Sequence, residues 1–293
     1  MSRHMHQSSL TRLSELGTST TLAAASASIS IALGGQTSAR ERPLIEYILH
    51  GHGPSKVLAL HSLFSDGRSF QALMAAFDPD RWTVAMIDFR GYGASAAVAG
   101  PFNLAIGASD ALAVADSLGW DRFAVLGHSM GGKSALRLAA DAPSRVTRIV
   151  GLSPIWAGGG LYNATQIAFL RTSIQSVDAR QTIMTNTTGN RLPKYWYRRT
   201  AEESAAGSRP DAYAGYVESL ISDDYETASA ALEQPVLVIA GAYDPGNVDM
   251  ARTHWLPKLK HAELMVLPEC GHWGLVEMPL FVGASVETFL SKT

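Results

Sequence analysis

Ser129 is the residue whose surroundings point most clearly to chemistry. It lies in the run Gly127-His128-Ser129-Met130-Gly131, which has the spacing G-x-S-x-G. Apolar residues typical of a β-strand precede this run, and residues with high helix propensity follow it. A serine in a tight turn between a strand and a helix needs neighbours without bulky Cβ atoms, and the turn holds its Oγ out toward a substrate. The pattern predicts a nucleophile elbow, although the spacing alone also fits an ordinary glycine-rich turn.

A nucleophilic serine needs two partners elsewhere in the chain. Its hydroxyl is weakly reactive at neutral pH, so a histidine must take the proton and a carboxylate must orient that histidine. In chains with such an elbow, the acid follows a late strand and the histidine precedes the last helix. Asp244 follows one short apolar run and His272 follows the next. We therefore predict the catalytic set Ser129, Asp244 and His272, with Asp249 as the competing acid.

The order of elements along the chain indicates an α/β fold. Strand and helix patterns alternate over residues 21–154 and again over 233–293, which predicts a mainly parallel sheet covered by helices on both faces. The predicted elements include a helix over 68–77, a strand over 82–87 and a helix over 104–118. Sites in open α/β sheets form at the carboxyl ends of the strands, so an inserted helical cap over residues 155–232 should cover the site. Its helical patterns lie at 164–176, 194–206 and 212–230.

The N-terminal residues allow two interpretations. Residues 21–27 resemble the end of a secretory signal, but residues 28–33 alternate polar and apolar side chains and predict a hairpin with residues 44–49. A cleavage site would then lie at the edge of the fold. We therefore predict a flexible tail over residues 1–20, no secretion and a cytoplasmic location.

Composition excludes several classes of protein. The 293 residues are 46% hydrophobic, which suits one large core with an insertion. The net charge of −2, without a basic run among aromatic residues, argues against nucleic-acid and membrane partners. Cys270 is the only cysteine, which excludes an intrachain disulfide and a cysteine-rich metal site. We predict no metal and no organic cofactor, and no pattern indicates an oligomeric state.

Three motifs together resemble the serine hydrolases of the α/β-hydrolase superfamily. The elbow is similar to the family's most frequent form, and Asp88-Phe89-Arg90-Gly91-Tyr92-Gly93-Ala94-Ser95 matches its D-x-R-G-x-G-x-S turn. The run His61-Ser62-Leu63-Phe64 lies where the family has His-Gly-x, and its Ser-Leu is similar to enol-lactone hydrolases. The resemblance implies an oxyanion hole made by the backbone N–H groups of Met130 and Leu63, with Phe64 as the adjacent alternative to Leu63. It also implies that Asp88 and Arg90 hold their turn rather than act on a substrate.

The expected reaction is hydrolysis of a carboxylic ester or lactone through an acyl-serine intermediate. Tryptophan and tyrosine are concentrated between Trp156 and Tyr225, which favours a medium-sized, partly apolar or aromatic acyl substrate. The residues predicted to line the pocket are Phe64, Trp156, Trp196 and Trp273. Most other cap aromatics should pack against one another.

Other activities fit the same residues. The triad could cleave a C–C bond or transfer the acyl group to an alcohol, and a hydrolase-fold binder, receptor or biosynthetic cyclase would turn over little. Three cap arginines, Arg171, Arg198 and Arg199, could bind a substrate carboxylate, although we expect them at the solvated surface.

Overall fold

The computed structural model describes residues 44–292, so the predicted tail over 1–20 and the predicted strand over 28–33 lie outside the described residues. The strands are β1 (Tyr47–His50), β2 (Ser55–Leu60), β3 (Trp82–Ile87), β4 (Phe123–His128), β5 (Val146–Leu152), β6 (Val236–Gly241) and β7 (Ala262–Leu267). They form one sheet in the order β1-β3-β2-β4-β5-β6-β7. β1 is antiparallel to β3 and all other neighbours are parallel, which confirms the predicted fold class.

Helices cover both faces of this sheet. Leu58 and Leu60 of β2 join one apolar core with helices α1 (Leu104–Leu118) and α2 (Met130–Asp141). On the opposite face of the sheet, Val57 and Ala59 join a second apolar core with the 3-10 helix Gly67–Ala76 and with the helix Pro279–Leu290. Successive side chains of a strand point to opposite faces, so a strand that is apolar at every position is buried on both sides.

The segment predicted to be a cap, residues 155–232, contains five helices, and it is called the cap below. They are α3 (Ala164–Thr172), α4 (Val177–Thr187), α5 (Lys194–Ala206), α6 (Pro210–Ser222) and α7 (Glu226–Ala230). The predicted helix over 164–176 ends at Thr172, because Ser176 starts α4 by accepting a hydrogen bond from the Ala179 N–H at 3.1 Å. The predicted helix over 212–230 is two helices, which are separated at Asp223.

The remaining helices belong to the core. Between β6 and β7 lie α8 (Pro245–Met250), a π-helical turn (Ala251–Trp255) and α9 (Leu256–Lys258), and α10 (Gly274–Glu277) precedes α11 (Pro279–Leu290). The helix predicted over 68–77 is the 3-10 segment, and the strand predicted over 44–49 begins only at Tyr47. Among residues 44–292, no helix is long and apolar enough to cross a membrane.

A buried lysine connects the core to the cap. Lys133 of α2 is fully buried, and its Nζ donates to the carbonyl oxygens of Gly158 (3.1 Å), Leu220 (3.3 Å) and Asp223 (2.6 Å). The last two lie at the end of α6, where helix carbonyls have no intrahelical partner. Burial lowers the pKa of Lys133 from 10.5 to about 8.

Stability should therefore depend on the titration of Lys133. Between pH values of about 8 and 10.5 the unfolded chain binds more protons at this residue than the folded chain, so the cost of burying the charge disappears as the pH rises. The free energy of unfolding, measured in urea, should rise for the parent by roughly 2–3 kcal/mol more than for Lys133→Met as the pH increases across that window. A difference between parent and variant that does not change with pH would contradict this expectation, and Lys292→Met, at an exposed lysine, serves as control.

Candidate active site

Ser129 lies at the turn between β4 and α2 with a strained backbone. Its φ of 54° and ψ of −113° are values that non-glycine residues rarely adopt. The conformation is held on both sides, because the Ser129 N–H donates to the Leu152 carbonyl at 2.9 Å and the Ser129 carbonyl accepts from the Ile155 N–H at 3.1 Å. This is the strand–turn–helix geometry expected of a nucleophile elbow.

The glycines around Ser129 are required by close backbone contacts. A Cβ on Gly127 would lie 2.3 Å from the Gly131 carbonyl oxygen, and one on Gly131 would lie 2.0 Å from the Leu60 carbonyl oxygen. A Cβ on Gly132 would meet the Pro154 side chain at 2.3 Å. Any side chain at these positions would push α2 away from the strand ends that it packs against.

Asp244 and His272 are hydrogen-bonded to each other. The His272 Nδ1–H donates to the Asp244 Oδ2 at 2.5 Å, and both side chains are buried. With Nδ1 occupied by a carboxylate, Nε2 is the ring nitrogen that can take a proton from a nucleophile. The competing acid, Asp249, is exposed and has no bond to His272. Of the two acids considered, Asp244 is therefore the one that is hydrogen-bonded to this histidine.

Ser129 and His272 are brought to the same end of the sheet. His128, adjacent to Ser129, donates from its Nε2 to the His272 carbonyl at 3.0 Å. The rings of His128 and His272 are 5.3 Å apart. The Ser129 Oγ has no hydrogen-bond partner within the described part of the chain. The hydrogen bond between the Ser129 hydroxyl and His272 therefore remains a prediction. We expect this bond to form when substrate binds.

Two backbone N–H groups predicted to form the oxyanion hole donate to no residue among 44–292. The Met130 N–H is the first of α2 and so has no intrahelical acceptor, and the Leu63 N–H, in the loop after β2, donates to no described residue. The Phe64 N–H, by contrast, donates to the Ser62 Oγ at 3.3 Å. The two alternatives for the second oxyanion donor thus differ, and the geometry favours Leu63 over Phe64.

The loop that carries Leu63 is fixed by buried side chains. His61 donates from Nδ1 to the Ser62 carbonyl at 2.7 Å and accepts the Phe89 N–H on Nε2 at 3.0 Å. Burial lowers the pKa of His61, which suits a neutral ring that both donates and accepts. The Tyr92 hydroxyl donates to the Leu63 carbonyl at 3.1 Å. The family motifs marked His61 and Tyr92, but sequence alone did not give them this supporting role.

Three of the four predicted pocket residues line one cavity. It has a volume of about 590 Å³ and lies between the 3-10 helix and α5, with Phe64, Trp196 and Trp273 in its wall. Phe64 and Trp273 are the chain neighbours of Leu63 and His272, so the cavity adjoins the candidate catalytic residues without including them. Polar residues also line it, among them Arg68, Ser69, Arg199, Thr200 and Glu203. A second cavity, of about 340 Å³, lies at β7 and α11 and contains none of the predicted site residues.

Trp156 does not line this cavity, contrary to expectation. Its ring is fully buried, its Nε1–H donates to the Glu226 Oε2 at 2.9 Å, and it packs edge-to-face on Trp255 with ring centroids 5.6 Å apart. A buried tryptophan whose N–H already has a partner belongs to the protein core. Trp156 therefore joins the cap to the core instead of facing a substrate.

The charged residues of the family turn have structural partners. Asp88 accepts the N–H groups of Gly67 and Ala94, each at 2.7 Å. Arg90 makes two hydrogen bonds of 2.6 Å with Asp110. These contacts agree with the expectation that Asp88 and Arg90 hold their turn.

The three cap arginines are about equally exposed, and each pairs with an acidic residue. Arg199, 3.4 Å from Glu203, differs from Arg171 and Arg198 in that it also lies in the cavity wall. Burial raises the pKa of the Cys270 thiol to about 12, so it is not a reactive thiolate at neutral pH. Within residues 44–292 no three His, Cys, Asp or Glu side chains are grouped to hold a metal ion.

Comparison with known proteins places these features in context. A model of the α/β hydrolase fold family matches residues 56–279. A 2-hydroxymuconate semialdehyde hydrolase from Pseudomonas putida is 31% identical over 219 residues, which are 70% of this chain and 75% of that protein. A 3-oxoadipate enol-lactonase from Acinetobacter baylyi is 25% identical over 260 residues, 85% of this chain and 93% of that protein. Among solved structures, an esterase from Exiguobacterium antarcticum has a TM-score of 0.75 at 16% identity, covering 85% of this chain and 96% of that one, a likeness of fold alone.

The identity of the orienting acid can be tested by two substitutions. Asp244→Asn should lower the turnover number for an ester by about 10⁴-fold, because an amide no longer holds the imidazole in the required tautomer. Asp249→Asn, at the exposed neighbour, should keep the parent's rate. The assignment is wrong if Asp244→Asn turns over at the parent's rate and Asp249→Asn does not.

Proposed function

Because the chain belongs to the α/β-hydrolase fold family, we propose that it is a serine hydrolase that cleaves a carboxylic ester or lactone through an acyl-serine intermediate. The observation that carries this proposal is the buried Asp244–His272 pair at the same end of the sheet as the strained Ser129. The two free N–H groups of Leu63 and Met130 support it. The superfamily resemblance derived from the sequence is confirmed by the family match.

The proposed reaction has two stages. In the first, the Ser129 Oγ attacks the carbonyl carbon while His272 Nε2 takes the hydroxyl proton, and the oxyanion accepts hydrogen bonds from the Leu63 and Met130 N–H groups. The tetrahedral intermediate collapses, and the C–O bond to the leaving alcohol breaks as His272 returns the proton to that oxygen. In the second stage water attacks the acyl-serine with His272 as base, and the acid leaves as Ser129 regains its proton.

The cavity supports a medium-sized, partly apolar or aromatic acyl group. The Trp196 and Trp273 rings meet edge-to-face in its wall, with centroids 5.6 Å apart, and Phe64 lies beside the proposed oxyanion donor. The triad contacts only the reacting carbonyl, which all esters share, so selectivity has to come from these walls.

A second candidate reaction is the hydrolysis of a C–C bond by the same residues. The relative from Pseudomonas putida is a 2-hydroxymuconate semialdehyde hydrolase, and the name muconate denotes an acid. Arg199 in the cavity wall could pair with such an acid group. A panel that contains p-nitrophenyl esters, lactones and vinylogous diketones with a free carboxylate separates the two reactions.

The nucleophile is tested by covalent labelling. A fluorophosphonate should add to the parent chain once, at Ser129, and Ser129→Ala should neither be labelled nor turn over esters at more than a residual rate, several orders of magnitude below the parent. Intact mass and peptide mapping measure the extent and the position of labelling, and an ester assay measures the turnover. Full labelling of Ser129→Ala would exclude Ser129 as the nucleophile.

Selectivity is tested at two adjacent positions on α5. Trp196→Ala should lower the ratio of kcat/KM for aryl and medium-chain esters to kcat/KM for acetyl esters roughly tenfold or more. This corresponds to a loss of about 1–3 kcal/mol of discrimination. Tyr195→Ala is the matched control, because Tyr195 is 73% exposed and does not line the cavity. Trp156→Ala should lower stability without changing the preference. Equal selectivity in the parent and Trp196→Ala would show that this wall does not select the acyl group.

A further inference from the structure

The loop that carries His272 is held by a buried carboxylate on the following helix. Glu277 has a side chain only 3% exposed. Its Oε2 accepts the Gly271 N–H at 3.0 Å and its Oε1 accepts the Trp273 N–H at 3.1 Å. The two residues that flank His272 are therefore bonded to one carboxylate, which restrains the backbone on both sides of the proposed base.

A cap arginine contacts both the Glu277 carboxylate and the loop that carries Asp244. Arg191, which follows α4, donates to the Glu277 Oε2 at 3.1 Å and to the Glu269 carbonyl at 2.9 Å. Its guanidinium also stacks on the ring of Tyr243, 4.1 Å from the ring centroid. Tyr243 immediately precedes Asp244. One side chain of the cap thus contacts both loops that carry the Asp244–His272 pair.

The end of α4 reinforces this connection. The His272 N–H itself donates to the Thr187 carbonyl at 2.9 Å. A Cβ on Gly271 would lie 2.6 Å from the Thr188 Cα, so the cap and the base loop are in backbone contact. A shift of the cap at Thr187 would therefore move the histidine backbone.

We propose that Arg191 and Glu277 are positioning residues that couple the cap to the Asp244–His272 pair. Neither touches the reacting atoms, and both act through the loops they restrain. An arginine is required because its planar fork bonds Glu277 and Glu269 while its face stacks on Tyr243, a combination that the compact ammonium of lysine does not offer. A displacement of the cap at Arg191 would thereby change the geometry of the base. The proposal rests on the proposed function for its consequence in catalysis, whereas the contacts from which it is argued do not depend on that function.

The test combines a spectroscopic and a chemical readout. The ¹H NMR signal of the His272 Nδ1 proton, identified by its loss in Asp244→Asn, reports the Asp244–His272 hydrogen bond without any turnover. The rate constant of fluorophosphonate labelling reports how well the pair activates Ser129. Arg191→Met and Glu277→Gln should broaden or remove the NMR signal and slow labelling by up to about 10²-fold, the effect of a misplacement of about 1 Å. Arg191→Lys, which keeps the charge, should be intermediate.

Two matched variants control for the loss of an ion pair. Glu287 of α11 accepts from Arg81 at 3.1 Å and from the Trp82 Nε1–H at 3.2 Å, so Glu287→Gln breaks similar bonds away from the site. Arg198→Met removes an exposed cap arginine. Both should keep the parent's NMR signal and labelling rate.

The outcomes separate the coupling from the proposed function. If Arg191→Met and Glu277→Gln keep the parent's NMR signal and labelling rate, the coupling is overturned and the pair only stabilises the fold. If the parent chain is not labelled and the NMR signal still responds to both substitutions, the coupling is supported and the proposed function fails. Should Glu277→Gln not fold, the comparison of Arg191→Met with Arg191→Lys decides.

Discussion

The close contact between the start of α2 and the end of β2 is the constraint on which the candidate site depends. Gly131 lies so near the Leu60 carbonyl that a Cβ there would be 2.0 Å from its oxygen. The loop with Leu63 leaves the sheet just after Leu60, and Met130 begins α2. The distance between the two proposed oxyanion donors is therefore fixed by backbone packing. The strained conformation of Ser129 is held by its bonds to the Leu152 carbonyl and the Ile155 N–H.

Three buried histidines near this contact have different roles because their partners differ. Burial lowers the pKa of His61 and lowers that of His128 well below its usual value, and both bond backbone groups as neutral rings. His272 alone of the three has a carboxylate partner, Asp244. In the proposed reaction, the positive charge would form on His272, next to the Asp244 carboxylate that would stabilise it.

The sequence predicted the elements whose positions follow from local pattern. The bounds predicted for Trp82–Ile87, Leu104–Leu118 and Lys194–Ala206 agree with the structure. The first two have an apolar run or apolar residues at helical spacing, and the third lies between Pro193 and Gly207, which mark its ends. The helix α4 was not predicted, because its sequence is mostly polar and its stability depends on tertiary contacts. Arg180 of α4 is buried, with its guanidinium 3.7 Å from the Tyr213 ring centroid.

The predicted site residues likewise divide into those marked by local sequence pattern and those whose role depends on tertiary contacts. Asp244 and His272 were predicted from their places after strands, and the structure pairs them, whereas the pocket role of Trp156 rested on composition alone and is not supported. Nothing local in the sequence distinguishes Arg191 from the exposed cap arginines. Its contacts with the acid and base loops arise only when α4 packs on the core.

The central claim is that different esters of one acid pass through the same acyl-Ser129. The direct measurement is the partition of that intermediate between water and hydroxylamine, for methyl, phenyl and p-nitrophenyl esters with a common acyl group. A shared acyl-serine has lost its leaving group, so the ratio of hydroxamate to acid should be the same for all three esters. A ratio that changes with the leaving group would show that water attacks the ester directly, and would contradict the account.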